Sequence, residues 1–264
     1  MLITSVDNKS VRLAASLAEK KYRDKEGAYL LEGPNLIREA LQYGGRLRFI
    51  FTQASHSTEE LSKLTEAIKD EGLAIYETTD EILSKIAQTK TPQGIIAVAE
   101  KNSFSEEEFF KAVKGKNLLV LDRIQDPGNV GTLFRTAEAA GFGGIILIKG
   151  SQDPYAPKVV RAAAGSVQRL PHIAAETGIL KKLKAEGYRI FAADMGGESQ
   201  FNIDLTVKSA VVIGNEGNGI SDEISEAADQ IISIPMLGRI ESLNAGLAGG
   251  IIMYEVLRQQ LKEN

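Results

Sequence analysis

The sequence contains no cysteine. That removes disulfide frameworks, thiolate metal sites and cysteine nucleophiles together, and it fits a cytoplasmic home. Histidine occurs only at His56 and His172, far apart and without ligand spacing, so both are read as structural and no metal is expected. Long apolar runs are missing too. No stretch reaches the roughly 18 residues of a membrane span, and MLITSVDNKSVRLAASL at the N-terminus has no uninterrupted apolar core of signal-peptide type. A soluble, unsecreted protein is the expectation. Neither repeats nor low-complexity tracts occur. Two nucleotide signatures are also absent. Gly128 and Gly131 satisfy neither GxGxxG nor GxxxxGK[ST], which argues against a dinucleotide and against a nucleoside triphosphate.

What is present is a chain of 264 residues, 43% hydrophobic, long enough for one large domain or two smaller ones. Its net charge of -4, taken alone, argues against nucleic acid, whose partners neutralise phosphates. The distribution says more. Residues 1–50 carry nine Lys/Arg against six Asp/Glu and residues 101–200 fourteen against eleven, whereas residues 51–100 and 201–264 each carry four against nine. Opposite signs are segregated, so an acidic protein with one basic face is allowed.

Helical periodicity near 9–21 and 34–43, with RFIFTQA, LAIYET and GIIAVAE as strands, predicts a compact α/β unit over residues 1–100. The charged, weakly patterned EKNSFSEEEFFKAVKGKN predicts a linker at 101–115. From LLVLD onward a second α/β unit is expected over 116–264. Its apolar runs GIILIKG, YRIFAAD, AVVIGNEG and QIISIPM are those of a mostly parallel sheet covered on both faces.

Ligands of open parallel sheets sit beyond the carboxyl ends of the strands, so the loops there carry the functional reading. Three stand out. In LDRIQDPGNVGTLFRTAEAAGF (121–142) a glycine turn leads into a helix carrying Arg135; Asn129 in that turn is either a ligand-facing amide or ordinary turn chemistry. IGNEGNGIS (213–221) sets three glycines around Asn215, Glu216 and Asn218, which reads either as close approach to a ligand or as a tight turn with surface carboxylates. IPMLGRIESLNAGLAGG (234–250) presents Ser242 and Asn244 at the entrance of the last helix, where Ser242 as an N-cap needs no function. That helix shows an apolar stripe of Leu243, Leu247, Ile251, Tyr254, Leu257 and Leu261, yet holds Gly246, Gly249 and Gly250, each costing roughly 1 kcal/mol against alanine. A cofactor, a partner helix or another stretch of the same chain must approach its backbone closely.

In this order and spacing, the three loops resemble the three signature motifs of the SpoU (TrmH) family of RNA ribose 2'-O-methyltransferases, and VRAAAGSVQRLP between them is similar too. SVDNKSVRLAASLAEKKYRDKEGAYLLEGPNLIREAL and TPQGIIAVAE resemble the family's accessory RNA-binding domain, related to ribosomal protein L30e. The resemblance covers nearly the whole chain. It departs at Ala245, Gly246 and Leu247, where the family usually has Val-Ser and another Val.

The resemblance implies an α/β protein in which a small L30e-like domain precedes a parallel-sheet catalytic domain tied in a trefoil knot of SPOUT type. It implies S-adenosylmethionine as cofactor, with Gly214, Ile234 and Leu243 at the positions of its contacts. The implied acceptor is a ribose 2'-hydroxyl. Arg135 is the family's activating arginine, although a guanidinium is normally always protonated; it either fixes the neighbouring phosphate or takes the proton in the assembled complex. Glu216 either orients Arg135 or Asn129 or is itself the base, while Ser242 and Asn244 line the substrate hydroxyl. On the accessory domain, Lys9, Arg12, Lys20, Lys21, Arg23 and Lys25, followed by Arg38, Arg46 and Arg48, are expected to hold RNA by its phosphates, the alternative being a solvated helix face. Ribosomal RNA is favoured over transfer RNA, and a homodimer is implied. The rivals are a non-catalytic RNA-binding assembly factor, a base-methylating relative and, against the missing fingerprint, a nicotinamide-dependent oxidoreductase.

Overall fold

The computed structural model describes residues 2–55 and 58–263, so His56 lies outside the described residues. The chain divides into two compact units, Met1–Lys101 with Tyr155–Arg169, and Asn102–Pro154 with Leu170–Asn264.

The first unit runs β1 (Leu2–Ile3), α1 (Lys9–Ser16), α2 (Lys20–Glu26), β2 (Ala28–Glu32), α3 (Pro34–Gln42), β3 (Leu47–Gln53), α4 (Glu59–Asp70), β4 (Ala74–Thr78), α5 (Asp80–Ile86) and β5 (Ile95–Glu100). Its sheet is mixed, ordered β1-β4-β3-β5-β2, with β5 antiparallel to both neighbours. Val11, Leu17, Leu30, Phe51, Ile82 and Val98 fill one side of it. The single helix expected at 9–21 is two. Leu17 closes α1 and is itself buried, and the Arg23 guanidinium reaches back from α2 to the carbonyls of Leu17 (2.8 Å) and Ala18 (2.6 Å), satisfying acceptors that the break leaves open.

The second unit opens with α6 (Glu106–Ala112), β6 (Leu118–Asp122), α7 (Pro127–Ala139) and β7 (Gly144–Ile148). Next come α8 (Pro157–Ala163) and α9 (Ser166–Arg169), which cluster with the first unit. The second unit resumes with β8 (His172–Ala175), α10 (Ile179–Ala185), β9 (Arg189–Ser199), β10 (Ser209–Gly214), α11 (Asp222–Ala227), β11 (Gln230–Ser233) and α12 (Ala245–Glu263). Six strands form an all-parallel sheet ordered β11-β9-β10-β6-β7-β8. Alternation of period two splits β6 between two cores: Leu118 and Val120 join Phe109, Ile146, Ile190 and Val212 on one face, and the buried Leu119 and Leu121 belong to the other.

The stretch expected as a linker is not one. Ser105 caps α6 in a reciprocal box with Glu108, and Phe109 and Val113, one turn apart, are fully buried in the second core. Charged residues disguise an amphipathic helix. His172 is buried, holds the Leu170 carbonyl at 2.9 Å through Nδ1 and meets Phe134 edge-on, which is a structural role.

The glycines of α12 are explained by another stretch of the same chain. α12 packs on α7 and β10; a Cβ on Gly249 would collide with Leu133 and stand 3.3 Å from Ile213, and one on Gly246 would stand 3.3 Å from Thr132. The buried residues of α12 include Ala245, Ile252, Met253, Glu255 and Val256, while Leu247, Tyr254 and Leu261 of the expected stripe are exposed. The helix is apolar on two sides.

Candidate active site

Parallel strands bring the ends of β6, β9, β10 and β11 to one edge of the sheet. The first loop is anchored there by Asp122, which is fully buried. Its carboxylate accepts from Arg123 Nε (2.9 Å) and from the backbone N–H of Ser221 (2.6 Å), so the start of the first loop is tied to the end of the second. Arg123 sits at φ +57°, an uncommon conformation for a side-chain-bearing residue, and its carbonyl accepts from Asn215 Nδ2 at 2.8 Å.

The second loop is a closed turn. Asn215 and Gly219 exchange backbone bonds of 2.9 Å in both directions, and Asn215 Oδ1 accepts from the N–H groups of Gly217 and Asn218. Gly214 must lack a side chain, because a Cβ there would lie 2.6 Å from the Gly219 carbonyl oxygen.

Three loops then meet through amides. Asp126 caps α7 by accepting from the Asn129 N–H at 2.9 Å. Asn129, 7% exposed, donates from Nδ2 to Glu216 at 2.8 Å and accepts at Oδ1 from Asn244 Nδ2 at 2.8 Å. Glu216 also accepts from the N–H groups of Asp126 (3.3 Å) and Gln125 (3.4 Å). Asn244 in turn accepts from the Leu247 N–H at 3.2 Å, so Asn244, and not Ser242, caps α12. Residues 87 and 115 positions apart are joined in one relay.

Beside the relay lies a cavity of about 340 Å³ whose lining includes Gly214, Glu216, Ile234, Ser242 and Leu243 together with Ile213, Ala248 and Ile252. The residues expected at the cofactor thus share one wall system with Glu216 and Ser242. Arg135 is exposed on α7, is not among the lining residues and makes no ion pair among the described residues. The sequence reading did not single out Asp122, Arg123 or Asn215 as site residues, although a carboxylate closing an otherwise apolar strand was a signal for the first.

Burial raises the Glu216 carboxyl most, but hydrogen bonds from Asn129 and from backbone N–H groups outweigh it and hold the group below its ordinary value. The carboxylate is thus held in place by N–H donors from Asn129 and from the first loop. Because its folded value is depressed, its stabilisation is present above the ordinary carboxylate range and is lost as pH falls through the folded value. Glu216→Gln turns an amide N–H₂ toward donors and, because the side chain is exposed, should lower stability by no more than about 1 kcal/mol at neutral pH. Thermal unfolding from pH 7 into the acid range checks this: the gap to wild type should narrow as pH falls, and a constant gap contradicts it.

The expected RNA face is partly redistributed. Arg23 is 4% exposed and committed to the carbonyls of Leu17 and Ala18, so it is withdrawn as an RNA contact. Lys20 pairs with Asp24, Arg38 with Glu60, and Arg46 and Arg48 with Glu100. Lys9, Arg12 and Lys21 are exposed and carry no ion pair among the described residues. No group of three or more His, Asp or Glu among the described residues is placed to hold a metal.

A parallel-sheet domain with three strand-end loops cross-linked around a cavity is the arrangement of a ligand-binding α/β domain. Residues 116–254 match the SpoU rRNA Methylase family and residues 8–97 an MRM3-like substrate binding domain. The chain belongs to the SpoU rRNA methylase family. It is 32% identical over 96% of its length to the 23S rRNA (guanosine(2553)-2'-O)-methyltransferase RlmP of Bacillus subtilis, 98% of which is covered. It is 34% identical over 98% of its length to an uncharacterized tRNA/rRNA methyltransferase of Synechocystis, with 94% of that protein covered. Among solved structures, an AdoMet-bound rRNA methyltransferase from Sinorhizobium meliloti superposes with a TM-score of 0.86 at 29% identity, covering 98% of this chain and 97% of that one.

Proposed function

We propose that this chain is a cytoplasmic enzyme that transfers a methyl group from S-adenosylmethionine to a ribose 2'-hydroxyl of structured RNA, ribosomal RNA before transfer RNA. The observation that carries it is the Glu216–Asn129–Asn244 relay closing three loops beside one cavity.

The cavity fits the cofactor. Its volume falls in the roughly 300–1,000 Å³ range of small-molecule sites, and its walls include Ile213, Ile234, Leu243, Ala248 and Ile252 beside Gly214. Those residues would hold the adenosyl part, with backbone groups making the polar contacts. When bound, the cofactor supplies an electrophilic methyl carbon on a sulfonium. Everything else falls to the chain. Ser242 and Asn244 orient the hydroxyl, with Asn244 held by Asn129 and Asn129 held by ionised Glu216. Arg135, without an ion pair among the described residues, grips the phosphate beside the target ribose by a two-pronged contact, and the hydroxyl proton leaves through that phosphate to solvent. Binding of the cofactor by calorimetry, followed by transfer of labelled methyl to unmodified ribosomal RNA, tests this reading; absence of both sinks it.

Lys9, Arg12 and Lys21 carry the RNA contact of the first unit. Reversing all three to glutamate should weaken RNA binding and reduce the slope of log affinity against log salt by about two to three. Arg23→Ala should destabilise the unit and leave that slope unchanged. Equal slopes in wild type and the triple variant contradict the assignment.

Two finer readings belong here. The exposed, seven-spaced Leu247, Tyr254 and Leu261 favour a homodimer through α12, checked by light scattering at twice the monomer mass. The path of α12, from the edge strand β11 back onto α7 and β10, favours a trefoil knot, which an experimental backbone trace tests.

A further inference from the structure

Every ionisable side chain lining the cavity is acidic. Asp194, Glu216 and Glu241 line it, and neither lysine, arginine nor histidine does so among the described residues. Glu216 is committed to Asn129 and the loop N–H groups, and neither Asp194 nor Glu241 has an ion pair among the described residues. Asp194 Oδ1 accepts from the Gly196 N–H at 3.2 Å, and Oδ2 stands 3.1 Å from where a Cβ on Gly219 would be. The carboxylate therefore lies against the turn that closes the second loop, on the β9 residue that follows Ala193, the last one paired with β10.

We propose that Asp194, backed by Glu241, makes this cavity read charge, favouring the sulfonium-bearing donor over the neutral thioether left behind, so that methyl transfer itself loosens the product. The inference rests on the cofactor reading above. In the transfer, an O–C bond forms at the ribose as the C–S bond breaks, its electron pair stays on sulfur, and the hydroxyl proton goes to solvent. One positive charge is thereby lost from the cavity while its carboxylates remain. Attraction between a carboxylate and a cation several ångströms away is modest in a partly wet site, yet it acts on only one of the two forms. Differential binding of this kind shifts exchange without altering the rest of the pocket. Asp194 is a specificity-determining residue here and takes no part in the bond changes.

The test is calorimetric titration of the full-length protein, without RNA, with S-adenosylmethionine and separately with S-adenosylhomocysteine. Asp194→Asn should weaken the donor about three- to tenfold and leave the thioether within about twofold, with Glu241→Gln acting in the same direction but less, and high salt should narrow the wild-type preference. Equal weakening of both ligands would assign Asp194 to the shared ribose or to the loop fold and overturn the inference, as would no change in either. If wild type binds neither ligand, the cofactor reading itself fails.

Discussion

Arg135→Ala should lose turnover by about a hundredfold or more while its affinity for S-adenosylmethionine stays within about twofold of wild type. The two halves of that expectation come from one observation. Arg135 is exposed on α7, outside the cavity lining, with no ion pair among the described residues, so its removal should leave both the pocket and the thermal midpoint nearly untouched. On the reading proposed above, what is lost is the two-pronged donor to the phosphate beside the acceptor ribose, where misplacement of the nucleophile is expensive. Arg135→Lys keeps the charge but not the planar fork, and should recover only part of the rate. Steady-state kinetics with saturating cofactor, alongside calorimetry, separates the outcomes; full activity in the alanine variant removes Arg135 from the mechanism.

The second large effect lies on the cofactor side. Gly214→Val places a branched side chain where even a Cβ would stand 2.6 Å from the Gly219 carbonyl oxygen, and the obstacle is backbone, which cannot rotate away. The Asn215–Gly219 turn has to open. Cofactor affinity should fall by at least about a hundredfold, close to 3 kcal/mol. Gly217→Ala is the internal control: its Cβ would meet only Asn215 Oδ1, at 3.7 Å, so binding should stay within about threefold. Calorimetry on both variants, with circular dichroism to show that the units remain folded, decides it. Normal binding by the valine variant would mean that the second loop does not wall the cofactor.

Much of this site was legible because parallel strands buried on both faces read as uninterrupted apolar runs. LLVLD became β6 at 118–122, and the ends of such runs are where ligands sit. The three loops could be marked in the same way, and the glycines of the last helix announced close packing before α7 supplied the partner. Other features depend on direction, which a linear pattern does not carry. A count of charges cannot tell that Arg23 turns inward to cap α1 while Lys21 stays out. In FFKAV the helix pair Phe109 and Val113 was masked by neighbouring charges. Ser242 and Asn244 are two residues apart and both suit an N-cap; only the geometry gives the cap to Asn244 and turns Ser242 to the cavity. Of the stripe most visible in sequence, Leu247, Tyr254 and Leu261 proved exposed while Leu243, Ile251 and Leu257 are half-buried. Membership of Tyr155–Arg169 in the first unit is a long-range fact with no local signature.

The most direct measurement is alkaline hydrolysis of unmodified ribosomal RNA after incubation with the wild-type protein and methyl-labelled S-adenosylmethionine. A ribose methyl removes the hydroxyl that cleaves the adjacent phosphodiester, so the label should appear in an alkali-resistant dinucleotide, and it should be absent when Asn129→Ala breaks the relay. Label recovered on a base in an ordinary mononucleotide, or undiminished in the Asn129 variant, would contradict the account.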